Sequence, residues 1–218
     1  MRTTKFGPKC IFLDLDGTIV DSRQACIEAA RIGFQAIGQE LLDVRIAFEI
    51  PKHMEQGLAL DDLVCGDLDK FKPIYLQAYH ALTEGKTKLL PNVLKTIEVL
   101  SLKAKLALIT MRHVPNQSVI RELDCFGIGR YFSSVMTGLD TLNPKPSPEA
   151  IFRCIEKFNV EIVDCLIAGD SVSDIRTGKA AGIKTVGLLS GLYSYEELVK
   201  EEPDLILFDL TKLPSAIY

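Results

Sequence analysis

The chain has 218 residues, 47% of them hydrophobic, and a formal net charge of −4. That is enough for one domain with an insertion or two small domains, and the apolar fraction excludes a disordered chain. The slight acidic excess, with no run of Lys or Arg, argues against a nucleic-acid partner, and no apolar stretch reaches the ~18 residues of a membrane span.

The start, "MRTTKFGPKC", leads directly into a strand whose apolar part is too short for a signal-peptide core. Six cysteines, at 10, 26, 65, 125, 154 and 165, form neither a CxxC pair nor a Cys/His cluster of zinc spacing. They are expected to be reduced, mostly buried thiols of a cytoplasmic protein.

The first predicted strand, "CIFLDLD" (10–16), ends in two carboxylates, Asp14 and Asp16, and turns at Gly17 and Thr18. Residues 22–88 then contain no convincing strand. They read as helices over "RQACIEAARIGFQAIG", a poorly patterned stretch around "DVRIAFEIPKHMEQGL", and "FKPIYLQAYHALTE". "LPNVLKTIEVLSLK" places Val93, Leu94, Ile97 and Leu100 at helical spacing behind Pro91, and "LALIT" (106–110) follows as a strand. A helix opening at Pro115 and stopping near Gly127 precedes a weaker strand at 133–138. After the proline-dense loop 141–150, Ser147 and Pro148 are the expected N-cap and first residue of a helix with Ile151, Cys154, Ile155 and Phe158 on its inner stripe. The strand "CLIAGD" (165–170), a helix ending at Gly182, and the strands "KTVGLL" (184–189) and "LILFD" (205–209) complete the chain. Near-continuous apolar strands alternating with helices predict an α/β fold, a doubly wound, Rossmann-like parallel sheet. The core is 1–21 with 89–218, and 22–88 is an inserted small α-helical cap domain.

In such sheets the ligand crevice lies at the C-terminal strand ends. Collected there are Asp14, Asp16, Thr110, Lys145 from the proline-rich loop, Asp170, and Asp174 at a helix start. Several carboxylates in one crevice require a cation, and hard oxygen donors select Mg²⁺ or Ca²⁺. Magnesium keeps open positions for a phosphate oxygen, and Lys145, the Thr110 hydroxyl and backbone N–H groups around Gly17 and Thr18 would hold the rest of a phosphate. Asp14 would be the nucleophile and Asp16, two residues on, the proton donor and then base. Asp14, Asp16 and Asp170 would bind the metal, with Asp174 orienting Lys145 or a metal-bound water. An EF-hand fails, since position six from Asp14 is Ile19 and position twelve is Ala25, and no P-loop sequence is present.

"DLDGT" followed by "DS", the strand-final Thr110, the lysine of "PKPSPE", and "GDSVSD" resemble, in order, the four motifs of the haloacid dehalogenase-like hydrolases. The resemblance covers essentially the whole chain and is strongest to the phosphoglycolate phosphatase-like branch through "LIAGDSVSDIRTGKAAGIKTVGL". It implies Mg²⁺-dependent hydrolysis of a small phosphorylated metabolite through an aspartyl-phosphate, in a protein that is a monomer or homodimer. Only 34 residues lie between Thr110 and Lys145, which leaves no room for that family's alternative cap. One departure is "LITMRHV": relatives often carry Asn or Gly where this chain has Met111, so the phosphate cradle around Met111 is expected to differ or to include Arg112. Arg112 and His113 read as structural or surface residues. Alternatives of the same fold are a sugar phosphomutase, similar to β-phosphoglucomutase, and a pyrophosphatase. A dehalogenase would have no use for Asp16. A phosphate-accepting receiver domain would be about half this length with no insertion, and a binding protein would not need the full residue set.

Overall fold

The computed structural model describes residues 6–218, the side chains of 84–86 excepted. The opening segment, read above as running into a strand with no leader, includes residues 1–5, which lie outside the described residues. Internal contacts divide the chain into two units, Met1–Val20 with Leu89–Tyr218, and Asp21–Lys88.

The strands are β1 (Cys10–Leu13), β2 (Val20–Asp21), β3 (Lys88–Leu89), β4 (Lys105–Ile109), β5 (Phe132–Met136), β6 (Cys165–Gly169), β7 (Lys184–Leu188) and β8 (Leu205–Leu207). Six of them form one parallel sheet in the order β5-β4-β1-β6-β7-β8. β2 and β3, two residues each and too short to leave a pattern in the sequence, pair separately. The helices are α1 (Arg23–Ala36), α2 (Val44–Gln56), α3 (Leu68–Lys86), α4 (Val93–Ser101), α5 (Asn116–Cys125), α6 (Glu149–Phe158), α7 (Val172–Ala181), α8 (Tyr195–Val199) and α9 (Leu213–Ile217).

Alternation along the strands separates two apolar layers. Ile11 and Leu13, with Leu106, Leu108, Leu166 and Ala168, pack under α4, α5 and α9. Cys10 and Phe12, with Ala107, Ile109, Cys165 and Ile167, pack under α6 and the end of α7. Both faces of β1 are therefore covered, which is why its four residues are all apolar and fully buried. Burial of each large side chain here contributes about 1.5–3 kcal/mol.

The second unit is built by α1, α2 and α3. Phe34 meets Phe71 edge-on with ring centroids 5.2 Å apart, and Tyr75 stacks on Phe71 at 5.8 Å. Gly33 leaves room for the Phe71 ring, which a Cβ there would strike. The poor pattern of α2 has a plain cause: Ala47, Ile50 and Lys52 are its buried residues, too few to print an apolar stripe. Asp43 caps its start by accepting from the Arg45 N–H, and Gly57 ends it at φ 67°.

One cap differs from expectation. Pro148, not Ser147, is the N-cap of α6. Ser147 belongs to the preceding turn, where its N–H donates to the Pro144 carbonyl, and its hydroxyl accepts from the Glu149 N–H at 3.3 Å. All six cysteines are free; Cys65 and Cys125 are exposed and the other four buried. Among the described residues no helix is long and apolar enough to cross a membrane.

Candidate active site

The strand order reverses beside β1, with β4 and β5 on one side and β6, β7 and β8 on the other. Leu13 is in register with both Leu108 and Ala168, so β4 and β6 end level with each other, one residue beyond the end of β1. The next residue or two of each strand carry the polar side chains. Asp14 follows β1 directly and its N–H donates to the Ala168 carbonyl at 3.2 Å; Thr110 follows β4 and Asp170 follows β6.

Lys145 reaches this rim from its loop. Its Nζ donates to Asp14 Oδ1 at 2.6 Å and to Asp174 Oδ1 at 2.7 Å, with all three side chains buried. Asp174 is fixed independently by a capping box at the start of α7. Its Oδ2 accepts from the Ser171 N–H at 3.1 Å and the Ser171 hydroxyl at 2.8 Å, while its own N–H donates to Ser171 Oγ. Burial pushes the Asp14 carboxyl up to about 7, with Lys145 opposing and the Asp174 and Asp16 charges adding to the rise. Burial alone would lower the Lys145 ammonium, but the charges of Asp14 and Asp174 outweigh it and hold the group above its usual range.

Asp170 is seated by small residues. Thr18, fully buried, donates its hydroxyl to Asp170 Oδ1 at 3.0 Å. Gly17 turns at φ 80°, a conformation that favours glycine, and a Cβ there would overlap the Asp170 carboxylate. A Cβ on Gly191, in the loop after β7, would overlap the same carboxylate. The neighbouring Ser190 hydroxyl donates to the Gly17 carbonyl at 2.7 Å, tying that loop to the first turn. Asp14, Asp170 and Asp174 each offer one oxygen within 4.8 Å of the others, a buried donor set of hard oxygens that suits a divalent cation.

Asp16 stands apart from that set. β1 stops at Leu13, so the two-residue alternation that would align Asp16 with Asp14 does not run on through the turn. Its carboxylate is gripped by Arg112, whose Nε donates to Oδ2 and whose terminal nitrogen donates to Oδ1, both at 2.7 Å. The other terminal nitrogen of Arg112 donates to Glu122 Oε2 of α5 at 2.5 Å. The Arg112 N–H donates to the Thr110 hydroxyl at 3.2 Å. Arg112 is buried, against the surface alternative read from the sequence; His113 is exposed and Met111 half-buried. The sequence reading passed over Gly191, Ser190 and Glu122. The available signals were a glycine just beyond a strand's C-terminal end and an arginine two residues past another.

The family model of the haloacid dehalogenase-like hydrolases matches residues 11–188. A phosphoglycolate phosphatase from Pseudomonas fluorescens is 31% identical over 219 residues, covering 94% of this chain and 78% of its own. One from Vibrio parahaemolyticus is 30% identical, with 96% of each chain covered. A solved haloacid dehalogenase-like family hydrolase from Streptococcus pneumoniae shares the fold, with a TM-score of 0.79 at 21% identity over 96% of this chain and 98% of that one. A solved chain from Haemophilus somnus, described as a predicted phosphoglycolate phosphatase, has a TM-score of 0.76 at 25% identity over 98% of each. On these grounds the chain belongs to the haloacid dehalogenase-like hydrolases, in their phosphoglycolate phosphatase-like branch, and is an enzyme of the phosphatase class.

Proposed function

We propose that the chain hydrolyses the monoester of a small phosphorylated metabolite, phosphoglycolate being the first candidate, through an aspartyl-phosphate on Asp14. The observation that carries this reading is the Lys145 ammonium 2.6 Å from Asp14 and 2.7 Å from Asp174 on a rim shared with Thr110 and Asp170. An acid that is buried, next to a cation and at the end of a strand is placed to act as a nucleophile, not as a solvated turn residue.

Asp14, Asp170 and Asp174 fit a magnesium ion, which when bound would supply the positive charge a phosphate dianion needs to approach carboxylates. Lys145 and the Thr110 hydroxyl hold phosphate oxygens, with backbone N–H groups around Gly17, Thr18 and Met111. One Asp14 oxygen attacks phosphorus as the ester oxygen leaves, and Asp16 gives that oxygen a proton. Asp16, now ionised, takes a proton from water; the water oxygen attacks the same phosphorus, and phosphate departs from Asp14. Asp174 keeps Lys145 in place. Residues 22–88 are the part assigned to choosing the substrate.

The test is phosphate release from a panel of phosphoglycolate, sugar phosphates, nucleotides, pyrophosphate and an aryl phosphate, with Mg²⁺, using Asp14→Asn as the blank. Asp14-dependent release that stops in EDTA and returns with Mg²⁺ is expected. Full activity in EDTA or in Asp14→Asn would reject the reading. Exchanging residues 22–88 for those of a relative is expected to change substrate preference more than the rate on the aryl ester. An unchanged preference would remove the selecting role.

A further inference from the structure

We propose that Arg112 is a positioning residue for the reaction, holding the Asp16 carboxylate in the one orientation from which it exchanges a proton with the leaving alcohol. The inference rests on the proton-carrying role proposed above for Asp16.

Asp16 needs an external constraint. It lies beyond the end of β1, where its backbone is tied through an isolated bridge to Val20. Its carboxylate would be free to rotate were it not gripped at both oxygens by one guanidinium, 2.7 Å from each. A planar two-point bond fixes direction as well as distance, which a single ammonium cannot do, and it leaves the outward lone pair of each oxygen to carry the proton that Asp16 exchanges. Arg112 is in turn fixed at its far end by Glu122, on α5, at 2.5 Å. Its side chain and that of Glu122 are 3% and 9% exposed, so this clamp is part of the packed interior, while Asp16, at 20%, keeps a face open to solvent. The same residue also touches Thr110, through its backbone N–H, so one position braces two of the proposed site residues.

A proton carrier must stand within hydrogen-bond reach of the oxygen it serves, and a displacement of about 1 Å costs on the order of 10²-fold in rate. The loss should depend on the ester. An alkoxide leaves poorly without a proton, whereas a nitrophenolate leaves without one. The ratio kcat/KM covers the steps up to departure of the alcohol, so it isolates this requirement from later attack by water.

The experiment compares kcat/KM for an alkyl phosphate and for 4-nitrophenyl phosphate in the wild type, Arg112→Lys and Glu122→Gln. In Arg112→Lys the alkyl ester is expected to fall about 10²-fold and the aryl ester by less than about 3-fold. Glu122→Gln, which leaves the Arg112–Asp16 pair in place, should show a smaller loss in the same order. Equal losses on both esters in Arg112→Lys, or no loss in either variant, would overturn the proposal. Should Arg112→Lys fail to fold, Glu122→Gln alone decides by the same comparison. A wild type with no Asp14-dependent phosphate release would overturn the proposed function and this inference together. A working wild type whose variants do not discriminate the esters overturns this inference alone.

Discussion

Lys145 Nζ lies 2.6 Å from Asp14 Oδ1, a buried ion pair between residues 131 positions apart in the chain. The ammonium also holds Asp174, so two buried acids depend on one cation. Removing one partner of a buried pair leaves an uncompensated charge and costs about 3–5 kcal/mol. Lys145→Met is therefore expected to lose that much stability in metal-free denaturant unfolding at pH 8, with part recovered on adding Mg²⁺ by mass action. A loss below about 1 kcal/mol would show that the acids do not rely on Lys145.

The same pair sets a pH dependence. Burial first, then the Asp174 and Asp16 charges, raise the Asp14 carboxyl from its ordinary 3.8 to about 7, against the opposing pull of Lys145. The folded state thus holds the proton more tightly than the unfolded state. Its contribution to stability is complete below about pH 4 and is lost as pH rises through about 7. Metal-free wild type should lose stability relative to Asp14→Asn between pH 4 and 7, and no further above it. Unfolding midpoints of the two proteins across that range check this; a constant difference would contradict it.

Gly191 is expected to tolerate no side chain. A Cβ there would overlap not only the tip of the Asp170 carboxylate but also its Cβ, so rotating Asp170 cannot relieve the clash. Gly191→Ala should weaken Mg²⁺ binding and turnover by at least about 10-fold, the scale of losing support for a metal ligand. Titration of Mg²⁺ by thermal shift, alongside phosphate release, measures both. Unchanged metal affinity would mean that the loop moves aside.

The parallel sheet was legible because its strands are short apolar runs. Cys10–Leu13 has no polar residue to hide, and the carboxylates appear at the point where the run stops. The strand-end positions of Asp14, Thr110 and Asp170 follow from that. The meeting of Asp16 with Arg112 was not legible, since it depends on how a turn leaves β1 and how α5 presents Glu122. Gly191 and Ser190 were missed because they come to Asp170 and Gly17 from a distant loop that has no pattern of its own. The Ser147 cap failed because the tight turn from Pro144 claimed that residue first.

The most direct test of the account is to trap the phosphorylated carboxylate. Asp16→Asn, given 4-nitrophenyl phosphate and Mg²⁺, lacks the base for the second step but retains a leaving group that needs no acid. Quenching during turnover and reducing with borohydride converts an aspartyl-phosphate to homoserine, located by peptide mass spectrometry. The account predicts homoserine at position 14. Release of nitrophenol by this variant with no modification at Asp14, or with modification at another carboxylate, would contradict it.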